Sequence, residues 1–464
     1  MRHHFITISL YRNKVIPAKA GIQKNFAWMP ASAGMTISDI VSKELSRTIC
    51  KVMWTGFLWC VIFSLQNLLW ADEPLTLAQC YELALKRSET IAIQQELIKE
   101  AEGSFLQSLS GVFPDASFIY SDKRQDGSGS SNFKLSEIPE SRFTVTQPLF
   151  SGFKEFAALA AGQAEKRQRI EEQKRARQLL FLDVADAFYL FLSYQEDADT
   201  LNSITSALTE RIDELLKREE LGRSRPSETA NAQLRLSRIE AEKELIESQG
   251  EAAHQLLEFL TGQSIVTVMD SDSLGQPFLE QGEFLSKMPE RPDVKAGREA
   301  LFIAKKLITR AKGDFFPMVD LEGNYYTKRV GNSDDVDWDA TLTIEMPVFN
   351  GGETFGKVKE AKAQAKQAEL QLSAKERGAS LEIQNAFTQW QSNLRRSVAL
   401  EKAVAAAEKN YQLQKEDYQL NLVNNLTVLD ALEDLQSTRR EYIAVKNETK
   451  RSYCKLKVAA GETP

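Results

Sequence analysis

Histidine and cysteine are almost missing from this chain. Among 464 residues there are three histidines and four cysteines. If a leader is removed after Ala71, only His254, Cys80 and Cys454 remain. No zinc-ligand spacing, nucleophile elbow or phosphate loop is present. An enzyme is therefore the least favoured class, and no cofactor or metal site is expected. The net charge is −7, and no basic cluster is interleaved with aromatics. Nothing points to nucleic acid. Proline is missing from long stretches too. None occurs between Gly152 and Lys217, a helical run of about 65 residues, or roughly 100 Å at 1.5 Å per residue. A single globular domain cannot hide a helix of that length. His254 reads as a helix-surface residue.

What is present is a repeat. Gln147-Pro148-Leu149-Phe150-Ser151-Gly152 returns 199 positions later as Met346-Pro347-Val348-Phe349-Asn350-Gly351. The offset holds onward without a gap. Leu180, Val184, Ala187 and Phe191 fall on Ala379, Ile383, Ala386 and Trp390, and Leu221-Gly222 falls on Leu420-Asn421. An apolar frame kept for so long argues duplication of one structural unit.

Each unit shows the same parts in the same order. A helical run comes first, over 75–109 and 294–311. Phe113-Pro114 and Phe316-Pro317 stop it, because proline removes a donor and restricts the residue before it. Two alternating segments follow, over about 115–149 and 318–348. Between Val336 and Val348 one face carries Trp338, Ala340, Leu342, Ile344 and Met346. The other carries Asp337, Asp339, Thr341, Thr343 and Glu345, a period of two without a slip. Asp320 and Glu322 join the polar face from the preceding strand. Glycine, serine, asparagine and aspartate mark the hairpin tips at 125–131 and 331–335. After the Pro-x-Phe-x-Gly turn come long helical hairpins over 152–262 and 351–460. Their apolar positions fall at spacings of three and four: Leu201, Leu208, Ile212 and Leu215, then Leu400, Val404, Ala407 and Tyr411. That is a coiled-coil seam.

The domain reading is one repeat over 72–290 and a second over 291–464. Residues 1–52 read as an over-long start. Residues 53–71 read as a secretory signal peptide, too short for a confident membrane span.

A leader, a duplicated strand pair with helical hairpin, and Pro-x-Phe-x-Gly turns together resemble the TolC family of outer-membrane efflux proteins. The resemblance covers essentially all of 72–461. It implies a mostly α fold with a β-barrel part, built as a homotrimer: a 12-stranded transmembrane β-barrel in outer-membrane lipid above a periplasmic α-helical barrel. It implies an export channel of a tripartite efflux or type I secretion system, with a periplasmic adaptor and an inner-membrane pump as partners. The alternative from another class is a periplasmic coiled-coil adaptor or scaffold protein. Physics points the same way. Lipid cannot satisfy open sheet edges, and four strands are too few to close around water.

The resemblance also implies roles at the hairpin turns. Leu221-Gly222-Arg223 and Leu420-Asn421-Leu422 correspond to the adaptor-docking tips. Asp430 and Thr427 stand where acidic residues often ring the closed pore, so one ring is lost. Glu228, with Ser227 beside it, stands where a gate-latching aspartate is usual. Tyr418 matches the latch tyrosine, while Val423 replaces the usual arginine. Without the resemblance, Asp430 and Glu228 are ordinary early-helix residues favoured by the dipole. Two readings stand for Cys80 and Cys454 near the two ends: a disulfide in an oxidising compartment, or two buried thiols.

Overall fold

Helix caps and prolines partition the chain. The computed structural model describes residues 74–125, 137–270, 280–331 and 334–462. The expected leader, the over-long start, most of the first strand loop and part of the second lie outside the described residues. Thr76 opens α1 (Leu77–Arg87) with a capping box: its hydroxyl accepts from the Gln79 N–H, and the Gln79 side chain accepts from the Thr76 N–H. The single helix expected over 75–109 is two helices. Ser88 takes an extended conformation, and its hydroxyl accepts from the Ile91 N–H to start α2 (Glu89–Ser110). A serine that satisfies a helix-start donor ends one helix and begins another.

Then follow β1 (Asp115–Arg124), β2 (Glu137–Ser151), α3 (Lys154–Glu220) and α4 (Pro226–Thr261). The second unit has α5 (Gln281–Ser286), α6 (Pro292–Lys312), β3 (Met318–Lys328), β4 (Trp338–Glu345), α7 (Glu353–Gln419) and α8 (Asn425–Ala459). Both α3 and α7 are 67 residues long, as a gapless duplication requires. The strand bounds shift from those expected. β2 is longer at both ends, because β3 pairs with it as far as Ser151. β4 stops at Glu345, where its only partner ends at Met318.

The four strands form one antiparallel sheet in the order β1-β2-β3-β4. The two hairpins have one register. Asp115 pairs with Thr146, and Met318 pairs with Glu345. Shifting the first pair by 203 and 199 positions gives the second.

Three apolar clusters hold the helices together. The first joins α1 to the middle of α3 through Tyr81, Phe181 and Phe188, and includes Leu257, Ile265 and Val458. Cys80 and Cys454 both lie in it as thiols, not as a disulfide. Burial pushes the Cys80 thiol up to about 11. The second cluster is the seam of the first hairpin, Leu201, Leu208, Ile212 and Leu215 against Ala232 and Ile239, joined by Leu429 of α8. The third packs Phe284 on Ile383, Phe387 and Trp390. The matching seam in the second hairpin, from Leu400 to Tyr411, is only half-buried within one chain. His254 is not a plain surface residue. Its Nε2 lies 2.5 Å from the Ile265 carbonyl oxygen and its ring lies against Phe191, so it anchors the segment leaving α4.

Candidate functional site

Two places carry the functional geometry: the sheet and the hairpin tips. On the sheet, period-two alternation puts one row of side chains in register across all four strands. Phe118 pairs with Phe143, Phe143 with Tyr325, and Tyr325 with Trp338. The next rows hold Ala116, Val145, Gly323 and Ala340, then Leu321 and Leu342. This apolar face is exposed, with Trp338 69% accessible.

The opposite face is polar and partly buried. Thr144 and Asn324 are under 9% exposed. The Thr144 hydroxyl donates to Asn324 Oδ1 at 2.7 Å, and Asn324 Nδ2 donates to Glu322 and Asp339, each at 3.0 Å. Tyr326 donates to Asp339 at 2.8 Å. Arg142 pairs with Glu140 at 2.5 Å, and the Arg329 guanidinium covers the Tyr326 ring. Asp320 and Glu345 lie at register positions on the same face, and the Asp337 carbonyl accepts from the Tyr326 N–H just before β4. A water-soluble sheet buries its apolar face. This one buries polar groups and exposes aromatics, as a transmembrane barrel wall does. The row from Phe118 to Trp338 has the composition of an interfacial aromatic belt.

At the tips, both hairpins turn by the same bonds. Arg223 N–H donates to Arg218 O and Gly222 N–H to Glu219 O. In the second copy Leu422 N–H donates to Asp417 O and Asn421 N–H to Tyr418 O. Each partner differs by 199 positions. Gly222 and Asn421 have φ of +65° and +58°, the left-handed conformation that glycine and asparagine best tolerate. The turns leave Leu221, Leu420 and Leu422 about 70% exposed.

Behind the turns, the latch expected between Glu228, Ser227 and Tyr418 is not assembled within one chain. Glu228 accepts from Ser224 at 3.2 Å in its own turn, and Ser227 is exposed. Tyr418 is buried under two guanidinium groups, Arg211 at 3.7 Å and Arg218 at 4.5 Å from its ring centroid. Arg211 also donates to Asn425 at 2.9 Å and Glu214 at 2.6 Å. Thr427 is committed to the α8 cap, where its N–H and hydroxyl both donate to Asn424 Oδ1. Asp430 is not a bare carboxylate. Arg235 Nη2 donates to it at 2.6 Å, and Nη1 donates to Glu433 at 2.6 Å and to the Leu429 carbonyl at 3.0 Å. Sequence reasoning missed Arg235. The available signal was an arginine two helical turns beyond Glu228, opposite in sign to the acidic Asp430 and Glu433.

Among the described residues no helix is long and apolar enough to cross a membrane, and no group of His, Cys, Asp and Glu could hold a metal ion. Among the described residues the inside-out sheet is the element suited to lipid, and the class of protein it points to is a membrane protein with a long helical extension. The profile of the outer membrane efflux protein family matches residues 80–263 and 288–462, one stretch in each repeat, and the chain belongs to that family. It is similar to the outer membrane protein TolC of Vibrio cholerae, 22% identical over 419 residues, which cover 86% of this chain and 91% of that one. It is also similar to the alkaline protease secretion protein AprF of Pseudomonas aeruginosa, 21% identical over 334 residues and 69% of each chain. The crystal structure of the outer membrane protein VceC from Vibrio cholerae superposes with a TM-score of 0.71 at 21% identity, over 83% of this chain and 96% of that one. The chain is an outer-membrane channel protein of the export type, with its helices extending into the periplasm. A periplasmic scaffold protein is not supported, since it leaves the exposed apolar sheet without a role.

Proposed function

We propose that three copies of this chain close one 12-stranded barrel in the outer membrane and one helical barrel below it. The duct is passive and works without a chemical step. The observation that carries this reading is the sheet, with its apolar face outward and two unpaired edges. Lipid solvates the face but cannot satisfy the edges, so other copies must. The half-buried seam of the second hairpin has the same explanation.

At the far end the exposed leucines of both tips, Leu221, Leu420 and Leu422, form the docking surface for a periplasmic adaptor that connects to an inner-membrane pump. The gate lies just behind them. Asp430 lines the constriction, and Arg235 holds both it and Glu433 in the resting state. Glu228, Ser227, Thr427 and Tyr418 shape the turns that have to separate when the duct opens.

Protein extracted from outer membranes in mild detergent tests the assembly. Light scattering should give the mass of three copies, and planar bilayers should show discrete conducting events. A stable monomer with its full β-content overturns the reading.

A further inference from the structure

We propose the register by which one copy joins the next: β4 pairs antiparallel with β1 of a second copy, Met346 opposite Phe118 and Ile344 opposite Tyr120. The proposal rests on the multi-copy barrel above, and adds which residues meet.

The derivation uses the repeat. The first hairpin maps onto the second by shifts of 203 positions for the leading strand and 199 for the trailing one. Asp115 with Thr146 becomes Met318 with Glu345, and Phe118 with Phe143 becomes Leu321 with Leu342. All four pairs are present in the structure. Within the chain, the trailing strand of the first unit, β2, joins the leading strand of the second, β3. There Val145 pairs with Gly323, Gln147 with Leu321 and Phe150 with Val319. Moving β2 forward by 199 and β3 back by 203 gives the junction that one chain lacks. Val145 with Gly323 becomes Ile344 with Tyr120. Gln147 with Leu321 becomes Met346 with Phe118, and Phe150 with Val319 becomes Phe349 with Ala116.

Three independent features agree. The first is the side-chain face. The trailing shift is set by the Pro-x-Phe-x-Gly repeat and the leading one by Phe113-Pro114 against Phe316-Pro317, with the hairpin registers agreeing in their sum; polarity sets neither, yet every transferred pair matches. Ile344, Met346, Tyr120 and Phe118 all belong to the apolar face. A one-residue slip would oppose apolar to polar positions throughout.

The second is exposure. Phe150 pairs with Val319 of β3 and is half-buried, while Leu149 sits in the bulge beside it and is 55% exposed. Their equivalents Phe349 and Val348 are 89% and 94% exposed. The motif phenylalanine is half-buried in one unit and bare in the other, and the residue before it is less exposed in the first unit than in the second. The missing cover is a strand of β3 type, and the free one is β1.

The third is the turn glycine. Gly152 has φ +68° because its backbone lies against Gly313; a Cβ there would meet the Gly313 carbonyl oxygen at 2.3 Å. Gly351 has the same φ, +66°, with nothing within 4 Å of where a Cβ would lie. The 203 shift places Ser110 of the second copy in the role of Gly313. Pairing also lengthens β4 from Glu345 to Asn350, the counterpart of Ser151.

Directly opposed residues of an antiparallel pair have Cβ atoms about 4.5–5.5 Å apart, within reach of a disulfide after a small adjustment. The test therefore introduces cysteine pairs into the full chain in its native outer membrane. Phe118→Cys with Met346→Cys, and separately Tyr120→Cys with Ile344→Cys, should give reducible multimers on non-reducing gels. The shifted pairs, Phe118→Cys with Ile344→Cys and Tyr120→Cys with Met346→Cys, should couple at least fivefold less. Single Met346→Cys controls for the native cysteines. Equal or stronger coupling by a shifted pair, in a protein that still has the mass of three copies and conducts, overturns the register alone. No coupling by any pair, with a monomer in detergent, overturns the register and the multi-copy reading together.

Discussion

The Arg235 guanidinium lies 2.6 Å from the Asp430 carboxylate and 2.6 Å from that of Glu433, and so ties α4 to α8 behind the hairpin tips. One arginine thus joins the returning helices of the two repeats. The acidic partners are more than half exposed, so each contact contributes about 0.2–1 kcal/mol and weakens with salt.

Arg235→Gln removes both contacts. In planar bilayers the resting conductance should rise about threefold, which corresponds to roughly 0.6 kcal/mol on the opening equilibrium. The Asp430 carboxylate is then unpaired, so block by a trivalent cation should strengthen. Asp430→Asn should weaken that block and leave assembly intact. Equal block in the parent, Arg235→Gln and Asp430→Asn would remove Asp430 from the pore.

Two glycines with similar φ separate conformational strain from crowding. Gly222 (φ +65°) faces open space, so Gly222→Ala should cost about 1 kcal/mol. Gly152 (φ +68°) abuts the Gly313 backbone, and neither glycine can retreat because Lys154 flanks Gly313. Gly152→Ala should lose more than about 2 kcal/mol and most outer-membrane yield. The measurement is thermal unfolding by circular dichroism together with membrane fractionation. The same loss at both sites would show that crowding does not set the first.

Arg291 is 1% exposed and ties three segments together. It donates to the Ala459 carbonyl at 2.6 Å, to Asp293 at 2.8 Å and to Glu382 at 2.8 Å. Arg291→Leu leaves two carboxylates facing each other and should destabilise by about 3 kcal/mol. The pH dependence follows from Asp293. Burial pushes its carboxyl up, but the bonds and charge of Arg291 outweigh that and hold it below the ordinary value. A depressed carboxylate contributes stability that is full above its unfolded value, about 3.9, and is lost as pH falls through the folded value. The unfolding temperature of the parent should drop below pH 4, and that of Asp293→Asn should drop less. Identical acid profiles would show that Asp293 is not the group responsible.

The architecture was legible because it is written twice. Period-two alternation located β3 and β4, and the 199-residue offset matched two 67-residue helices. Boundaries were less legible where they depend on partners remote in sequence. β2 runs to Ser151 because β3 reaches it, and the Ser88 break appears only once its hydroxyl meets Ile91 N–H. At the tips, the family resemblance singled out Asp430 and Tyr418 but could not say what faces them. Arg211 and Arg218 reach Tyr418 from α3, about 200 positions away, and Arg235 reaches Asp430 from α4. Such pairings follow from the helix crossing, which local pattern does not encode.

The exposed aromatic face of the sheet also has a consequence for biogenesis. The first helical hairpin buries its own seam, so it can become ordered while the chain is still alone. The strands cannot: Phe118, Phe143, Tyr325 and Trp338 find no cover in a single copy in water. On the proposed barrel a lone copy is half finished and adhesive, and a holdase that covers that face should keep it from aggregating until it reaches lipid. On the multi-copy barrel proposed above, docking of sister copies and entry into the bilayer become one event, and the water-filled passage first exists when the last copy arrives.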